Sequence, residues 1–180
     1  MRHIRTVGAL LVVLLVVLGY RGGARAQGRV SPHEKTRTVT VDGSEMFIEY
    51  GRPSMRGRTV FGGLVRYNEV WCPGADEATM LSTSRALRMG ALALPAGEYS
   101  LWMLPTEGDW SLIVNQDAHV FHTNHRGSRD LGRVTLQRKT LSTPVEQLTF
   151  AIEKNLQGPG GKIVMTWANT EVSASFLVGD

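Results

Sequence analysis

The sequence predicts an all-β fold: a single-domain antiparallel β-sandwich, or a jelly-roll-like variant of it, with at most one short helix. Three observations predict it. Short runs rich in β-branched and aromatic residues recur along the chain, with turn residues between them. No window beyond residue 26 carries a sustained apolar stripe at helical spacing. Many short strands at near-regular spacing are the pattern of layered antiparallel proteins.

In chain order, residues 1–26 read as a secretory signal peptide. Arg2 and Arg5 give a basic start, residues 7–18 are almost unbroken apolar, and Ala24-Arg25-Ala26 supplies small residues for cleavage before Gln27. That apolar run of about 12 residues is short of the ~20 a membrane-spanning helix needs, so no stable membrane insertion is expected after cleavage. An uncleaved N-terminal anchor is the alternative. Residues 27–35 read as a flexible lead-in, and residues 36–180 as the single β domain.

The first strand is expected over residues 36–41 (T-R-T-V-T-V) and the second over 45–50 (E-M-F-I-E-Y). Asp42-Gly43 between them is a hairpin signal, because glycine accepts the positive φ of a tight turn. Further strands are expected over 79–84, 98–104, 110–115, 133–136, 147–153, 162–168 and 172–178, with Pro95-Ala96-Gly97, residues 105–108, 158–161 and Asn169 as punctuation. The one short helix has room only between Asp117 and Leu131. In the 98–104 run, Tyr99, Leu101 and Met103 share a face, yet Trp102 and Leu104 make the other face apolar too. That strand should be covered on both sides, or line a pocket.

Charge excludes some partners. The chain has 20 Lys and Arg against 16 Asp and Glu, but Arg2, Arg5, Arg21 and Arg25 lie in the leader. The remaining chain is balanced, so nothing draws it to nucleic acid or anionic lipid. The single cysteine, Cys72, has no partner for a disulfide within the chain and reads as a small buried hydrophobe.

Several clusters could carry chemistry. His119, His122 and His125 suggest a metal, but neither a strand nor an α-helix would bring all three to one ion. No metal and no cofactor are expected. Asp76 and Glu77 resemble an acid–base pair, but neighbours at a strand start should diverge, one turning inward to an arginine. Arg52, Arg56 and Arg58, around a Pro/Gly turn, offer guanidinium groups that grip carboxylates through two parallel hydrogen bonds. No G-x-S-x-G elbow, phosphate-binding glycine loop, H-E-x-x-H or C-x-x-C pair is present.

Five stretches in order, R-P-S-M-R-G-R, V-W-C-P-G-A-D-E-A-T, L-P-A-G-E-Y-S-L-W, W-S-L-I-V-N and S-R-D-L-G-R-V, resemble the domain of unknown function 2911 family of exported bacterial proteins. The resemblance spans about residues 51–150. It implies a compact, mostly β domain and export to the periplasm or medium, and it implies no activity. Cys72 stands where such proteins usually carry Arg, and Asp76 where they carry Asn.

The leading expectation is a β-sandwich that binds a small molecule, glycan or peptide in a cleft. Arg52 and Arg58 would donate, Glu77 accept, Trp71 and Trp102 stack, and His122 and Asp130 lie nearby. A hydrolase or lyase with Glu77 or His122 as general base is the second reading. An interaction module of the cell envelope is the third.

Overall fold

A computed structural model describes residues 31–40 and 43–179. The leader, residues 27–30, Val41, Asp42 and Asp180 lie outside the described residues. The strands are β1 (His33–Val39), β2 (Glu45–Gly51), β3 (Met80–Thr83), β4 (Leu87–Met89), β5 (Leu92–Leu94), β6 (Gly97–Leu104), β7 (Trp110–Asn115), β8 (Asp130–Lys154) and β9 (Gly160–Val178). All join one antiparallel sheet in the order β1-β2-β3-β6-β7-β8-β9-β4-β5. The all-β class is as the sequence predicts. Among the described residues, the helical content is one 3-10 turn, Gly127–Arg129, inside the window left for a helix.

Alternation builds the strands. In β2, Met46, Ile48 and Tyr50 are buried while Glu45 and Glu49 are exposed, which is the period of a pleated ribbon with one wet face. Gly43 has φ 83, as the tight turn between β1 and β2 requires. β1 begins at His33, inside the stretch read as a lead-in, and His33 pairs with Gly51.

The sheet curls round one filling. Buried side chains from every strand between β2 and β9 form a single cluster that includes Ile48, Leu81, Leu94, Leu112, Phe150 and Trp167. Tyr50 of β2 packs edge-on against Phe150 of β8, with ring centroids 5.0 Å apart, although three strands separate β2 from β8 in the sheet. The Phe150 amide donates to the Tyr50 hydroxyl at 2.8 Å. Past β2 the chain runs along β8: Met55 N–H donates to Glu146 O (2.9 Å) and Leu148 N–H to Pro53 O (3.0 Å). Two facing layers sharing β8 are compatible with this curl.

Two expectations about strand division are corrected. Residues 133–136 and 147–153 belong to one 25-residue strand, and 162–168 and 172–178 to one 19-residue strand. Asn169 ends nothing. Instead Ala168 takes φ 50, and the β8–β9 register shifts between Thr140 and Thr149, a stretch that holds Pro144. Proline cannot donate to a ladder, so both strands bend there and continue. The β4–β5 hairpin had no expected strand. Its arms are three residues each, too short to show alternation, and Gly90 (φ 61) makes the turn.

β6 is covered on both sides. Leu101 and Met103 face the main core, while Trp102 joins Cys72, Ala78 and Ile113 in a second buried cluster on the opposite face. Trp102 is therefore packing, and its indole N–H donates to Ser100 Oγ at 2.8 Å.

Candidate functional site

The two apolar faces of β6 and β7 decide where a site can form. The loop before β3 and the loop after β7 both cross the second cluster and pair with each other: Ala78 N–H donates to Val120 O (2.8 Å), and Glu77 bridges Phe121. On the other side, Gly51 packs against the turn at Ala75. A β-carbon there would strike the Ala75 carbonyl oxygen and lie 3.0 Å from its carbon, so only glycine lets β2 reach the turn. Gly51 opens the bend that carries Arg52, Arg56 and Arg58, and Ala75 follows Trp71 and Cys72, so the Arg-rich bend and the Trp-Cys corner are neighbours.

Between the β1–β2 edge and residues 77–80 lies a cleft of about 170 Å³. Ala78 and Met80 line it with apolar surface, the chain at Tyr50 and Gly51 borders it, and His33, Glu49, Glu77 and His119 bring the polar groups. His33 Nε2 is 3.2 Å from Glu77 Oε2 and 4.0 Å from Asp76 Oδ2. His119 Nε2 is 2.8 Å from Glu98 Oε2. Asp76 (φ 66) and His119 (φ 56) both hold left-handed backbone, which side-chain-bearing residues seldom adopt and which collects at functional turns. That conformation also corrects the expectation for the carboxylate pair. Strand alternation does not apply at Asp76, so both carboxylates turn to His33, which takes the place of the expected arginine. Asp76 Oδ2 in addition accepts the Ser31 N–H at 2.9 Å.

The three downstream histidines take three different partners. His119 meets Glu98, His125 Nε2 is 2.7 Å from Asp130 Oδ1, and His122 Nδ1 is 2.6 Å from the Asp76 carbonyl. A carbonyl only accepts, so His122 Nδ1 carries the proton and Nε2 is left as the basic atom. Among the described residues, no group of three or more His, Cys, Asp or Glu is placed to hold a metal ion.

The six expected ligand residues fall in separate places. Glu77 lines the cleft, and His122 lies behind it, tied to the Asp76 carbonyl next to the Glu77–Phe121 bridge. Arg52 is a staple: Nη1 meets Glu34 Oε2 at 2.5 Å, Nη2 donates to Thr149 Oγ1 (2.8 Å) and Nε to Leu148 O (3.2 Å). Asp130 sits in a half-buried network in which Asn115 Nδ2 donates to its Oδ1 at 2.8 Å. Arg58 is exposed and bonded to its own loop, through Nε to Met55 O (2.9 Å) and Nη2 to Ser54 O (2.8 Å). Trp71 stacks on Trp167 at 6.0 Å and meets the edge of Phe61 at 6.0 Å.

Electrostatics set the thiol and one loop. Burial pushes the Cys72 thiol up to about 12, with the Thr79 N–H opposing it, so Cys72 is a neutral packing group, as expected. Burial, opposed by the Phe150 hydrogen bond, also raises the Tyr50 phenol. The Arg126 hydrogen bond, helped by Arg129, holds the Asp117 carboxyl below its ordinary range and pins the loop that carries His119.

A family model described as Protein of unknown function (DUF2911) matches residues 31–176. The chain belongs to the DUF2911 family. No curated protein and no solved structure matches it. The DUF2911 match covers β1 through most of β9, so both walls of the cleft are inside the family domain.

Sequence reasoning about this DUF2911 chain missed His33 and Glu49, and it weighed His119 within a histidine trio judged not to bind metal without assigning it to the cleft. The signal for Glu49 was available: it lies on the wet face of β2, beside Gly51. His33 sat in a stretch too polar to read as strand, and nothing in the sequence pairs it with residue 77.

Proposed function

We propose that this DUF2911 protein is exported and binds a small ligand, a glycan or peptide fragment presenting an amine or a run of hydroxyls, in the cleft between β2 and residues 77–80. One observation carries the reading: Glu77, Glu49, His33 and His119 line one cleft together with the apolar surface of Ala78 and Met80. A few convergent polar groups on apolar surface is the usual composition of a ligand pocket. Carboxylates outnumber cations at the rim, with Lys35 held by Glu49 at 3.6 Å, so hydrogen-bond donors and cations are the complementary head groups.

The test is amide-resolved NMR titration with glucosamine, glucose and lysine amide. Glucosamine or lysine amide should shift the amides of residues 49–51 and 77–80, and Glu77→Gln should weaken binding at least ~5-fold, the loss of one charge-assisted hydrogen bond. Absence of shifts at both segments with all three probes, or unchanged binding in Glu77→Gln, would overturn the reading. Export is tested by N-terminal sequencing of the protein recovered from its native periplasm or medium, where Gln27 should come first.

A second reading, proton transfer in a hydrolase or lyase, draws on the imidazole–carboxylate pairs. His33 against Glu77, and the fixed tautomer of His122, are arrangements that position a general base. If Glu77→Gln and His122→Ala both leave a discovered turnover intact, neither is that base.

A further inference from the structure

A second depression, of about 430 Å³, lies beyond the Arg-rich bend, between residues 55–67 and the kink of β9. Among the described residues, Arg58 is the only charged side chain that lines it. Phe61 and Tyr67 supply ring surface, and Thr59, Asn169 and Thr170 supply neutral hydrogen-bonding groups. Its character is therefore the reverse of the first cleft: one cation, and no carboxylate among the lining residues.

Both walls are fixed before any ligand arrives. Residues 59–65 are tied to themselves by Leu64 N–H to Thr59 O (3.0 Å), Val65 N–H to Val60 O (2.8 Å) and Gly62 N–H to Val65 O (2.8 Å). Gly62 has φ 81, and a β-carbon there would come within 3.1 Å of the Tyr67 ring. Phe61 is held edge-on by Trp110 at 4.6 Å and Trp167 at 6.1 Å. Across the gap, the left-handed turn at Ala168 holds Asn169, whose Nδ2 donates to Leu141 O at 3.2 Å. Arg58 is oriented by Met55 O and Ser54 O, and a guanidinium has five N–H donors, more than those two carbonyls occupy.

We propose that this groove binds the C-terminal residue of a peptide: the free carboxylate on Arg58, an apolar side chain against Phe61 and Tyr67, and the last amide on Thr59 or Asn169. A planar, oriented guanidinium matches a carboxylate, and capture of a chain terminus by a carboxylate contact is a known way of reading peptide ends. The preformed walls reduce what ordering would otherwise cost the complex. This site is separate from the cleft proposed above, and its chemistry does not depend on that reading.

The experiment is amide-resolved NMR titration of the folded protein with acetyl-Ala-Ala-Phe bearing a free C-terminus, and with the same peptide as its C-terminal amide. The acid should bind with a dissociation constant of about 1 mM and shift residues 57–61, 67 and 168–170. The amide should bind at least ~10-fold more weakly, Arg58→Gln should lose at least ~10-fold for the acid, and Arg58→Lys about 3-fold. Glu77→Gln should leave the acid's affinity unchanged. Equal binding of acid and amide, retention of affinity in Arg58→Gln, shifts confined to residues 49–51 and 77–80, or no saturable shift at about 10 mM peptide would each overturn the proposal. The acid–amide comparison uses the wild-type protein alone, so it holds even if a variant folds poorly.

Discussion

Arg52 and Arg58 lie in one short bend, and the sequence gives no reason to treat them differently. The structure does, and Arg52→Met tests the difference. The Arg52 side chain is three-quarters covered, and its guanidinium reaches Glu34 of β1 together with Leu148 O and Thr149 Oγ1 of β8. It thus ties the sheet edge to the far strand on which the sheet closes. Two hydrogen bonds from a charged donor, partly solvated, contribute about 1 kcal/mol each. The Glu34 pair adds ~0.5–1 kcal/mol, since Glu34 is 38% exposed and water screens it. The expected loss is about 3 kcal/mol, which at ~2 kcal/mol per molar of urea moves the midpoint by about 1.5 M. In a melt it corresponds to roughly 6–12 °C.

Urea unfolding followed by tryptophan fluorescence reads this directly, with the slope unchanged if only the folded state is affected. Glu34→Gln, which removes only the ion pair, should cost at most ~1 kcal/mol. Arg58→Gln, whose bonds are to its own exposed loop, should stay within ~0.5 kcal/mol of wild type. If Arg52→Met is as stable as the parent protein, or Arg58→Gln is equally destabilised, the distinction between staple and free clamp is wrong.

Gly51→Ala should lose about 1–3 kcal/mol or more, because the new methyl group meets backbone at Ala75 and cannot swing aside; a fall in melting temperature measures it. The Cys72 thiol should resist a disulfide-exchange reagent at pH 8 in the native protein and react at once in urea, since burial keeps it neutral; prompt labelling of the folded chain would show otherwise. Asp117 should stabilise the fold in a pH-dependent way. Its carboxyl is held below the ordinary value by Arg126, so its contribution is complete above the usual aspartate range of about 4 and is lost as pH falls through the lowered value. The stability gap between wild type and Asp117→Asn, followed by unfolding at several pH values, should therefore shrink on acidification; a gap that widens would contradict the sign.

The fold was legible where one strong local rule acts. Period-two alternation shows β2 without help from elsewhere, and the doubled apolar face at Trp102 correctly implied cover on both sides of β6. It was illegible where a strand continues through residues that normally stop one. Asn169 reads as a break and no strand is expected over residues 137–146, because only the pairing of β8 with β9 shows that both kink and continue. The site was legible by segment and not by residue. The Arg-rich bend and the Trp-Cys corner do meet, but which arginine faces solvent depends on where β8 passes, a contact some 96 residues away in sequence.

The position of Glu77 follows from packing rather than from its own chemistry. Cys72 and Ala78 lie on either side of the turn that carries Asp76 and Glu77, and both are sunk against Trp102 and Ile113. Thr79 N–H points to the Cys72 sulfur at 3.4 Å, and Thr79 Oγ1 donates to Pro73 O at 2.8 Å, so the turn is closed on itself. The opposite loop is latched by Ala78 N–H to Val120 O and His122 N–H to Asp76 O (3.0 Å). Glu77 is an exposed side chain on a backbone that is not free to move, which is the condition under which a surface carboxylate can hold a ligand in one geometry. An arginine at residue 72 would have to place its charge beside Trp102 or push the turn outward. A small neutral side chain there is what lets the two loops close over the second face of β6 and fix the rim of the cleft.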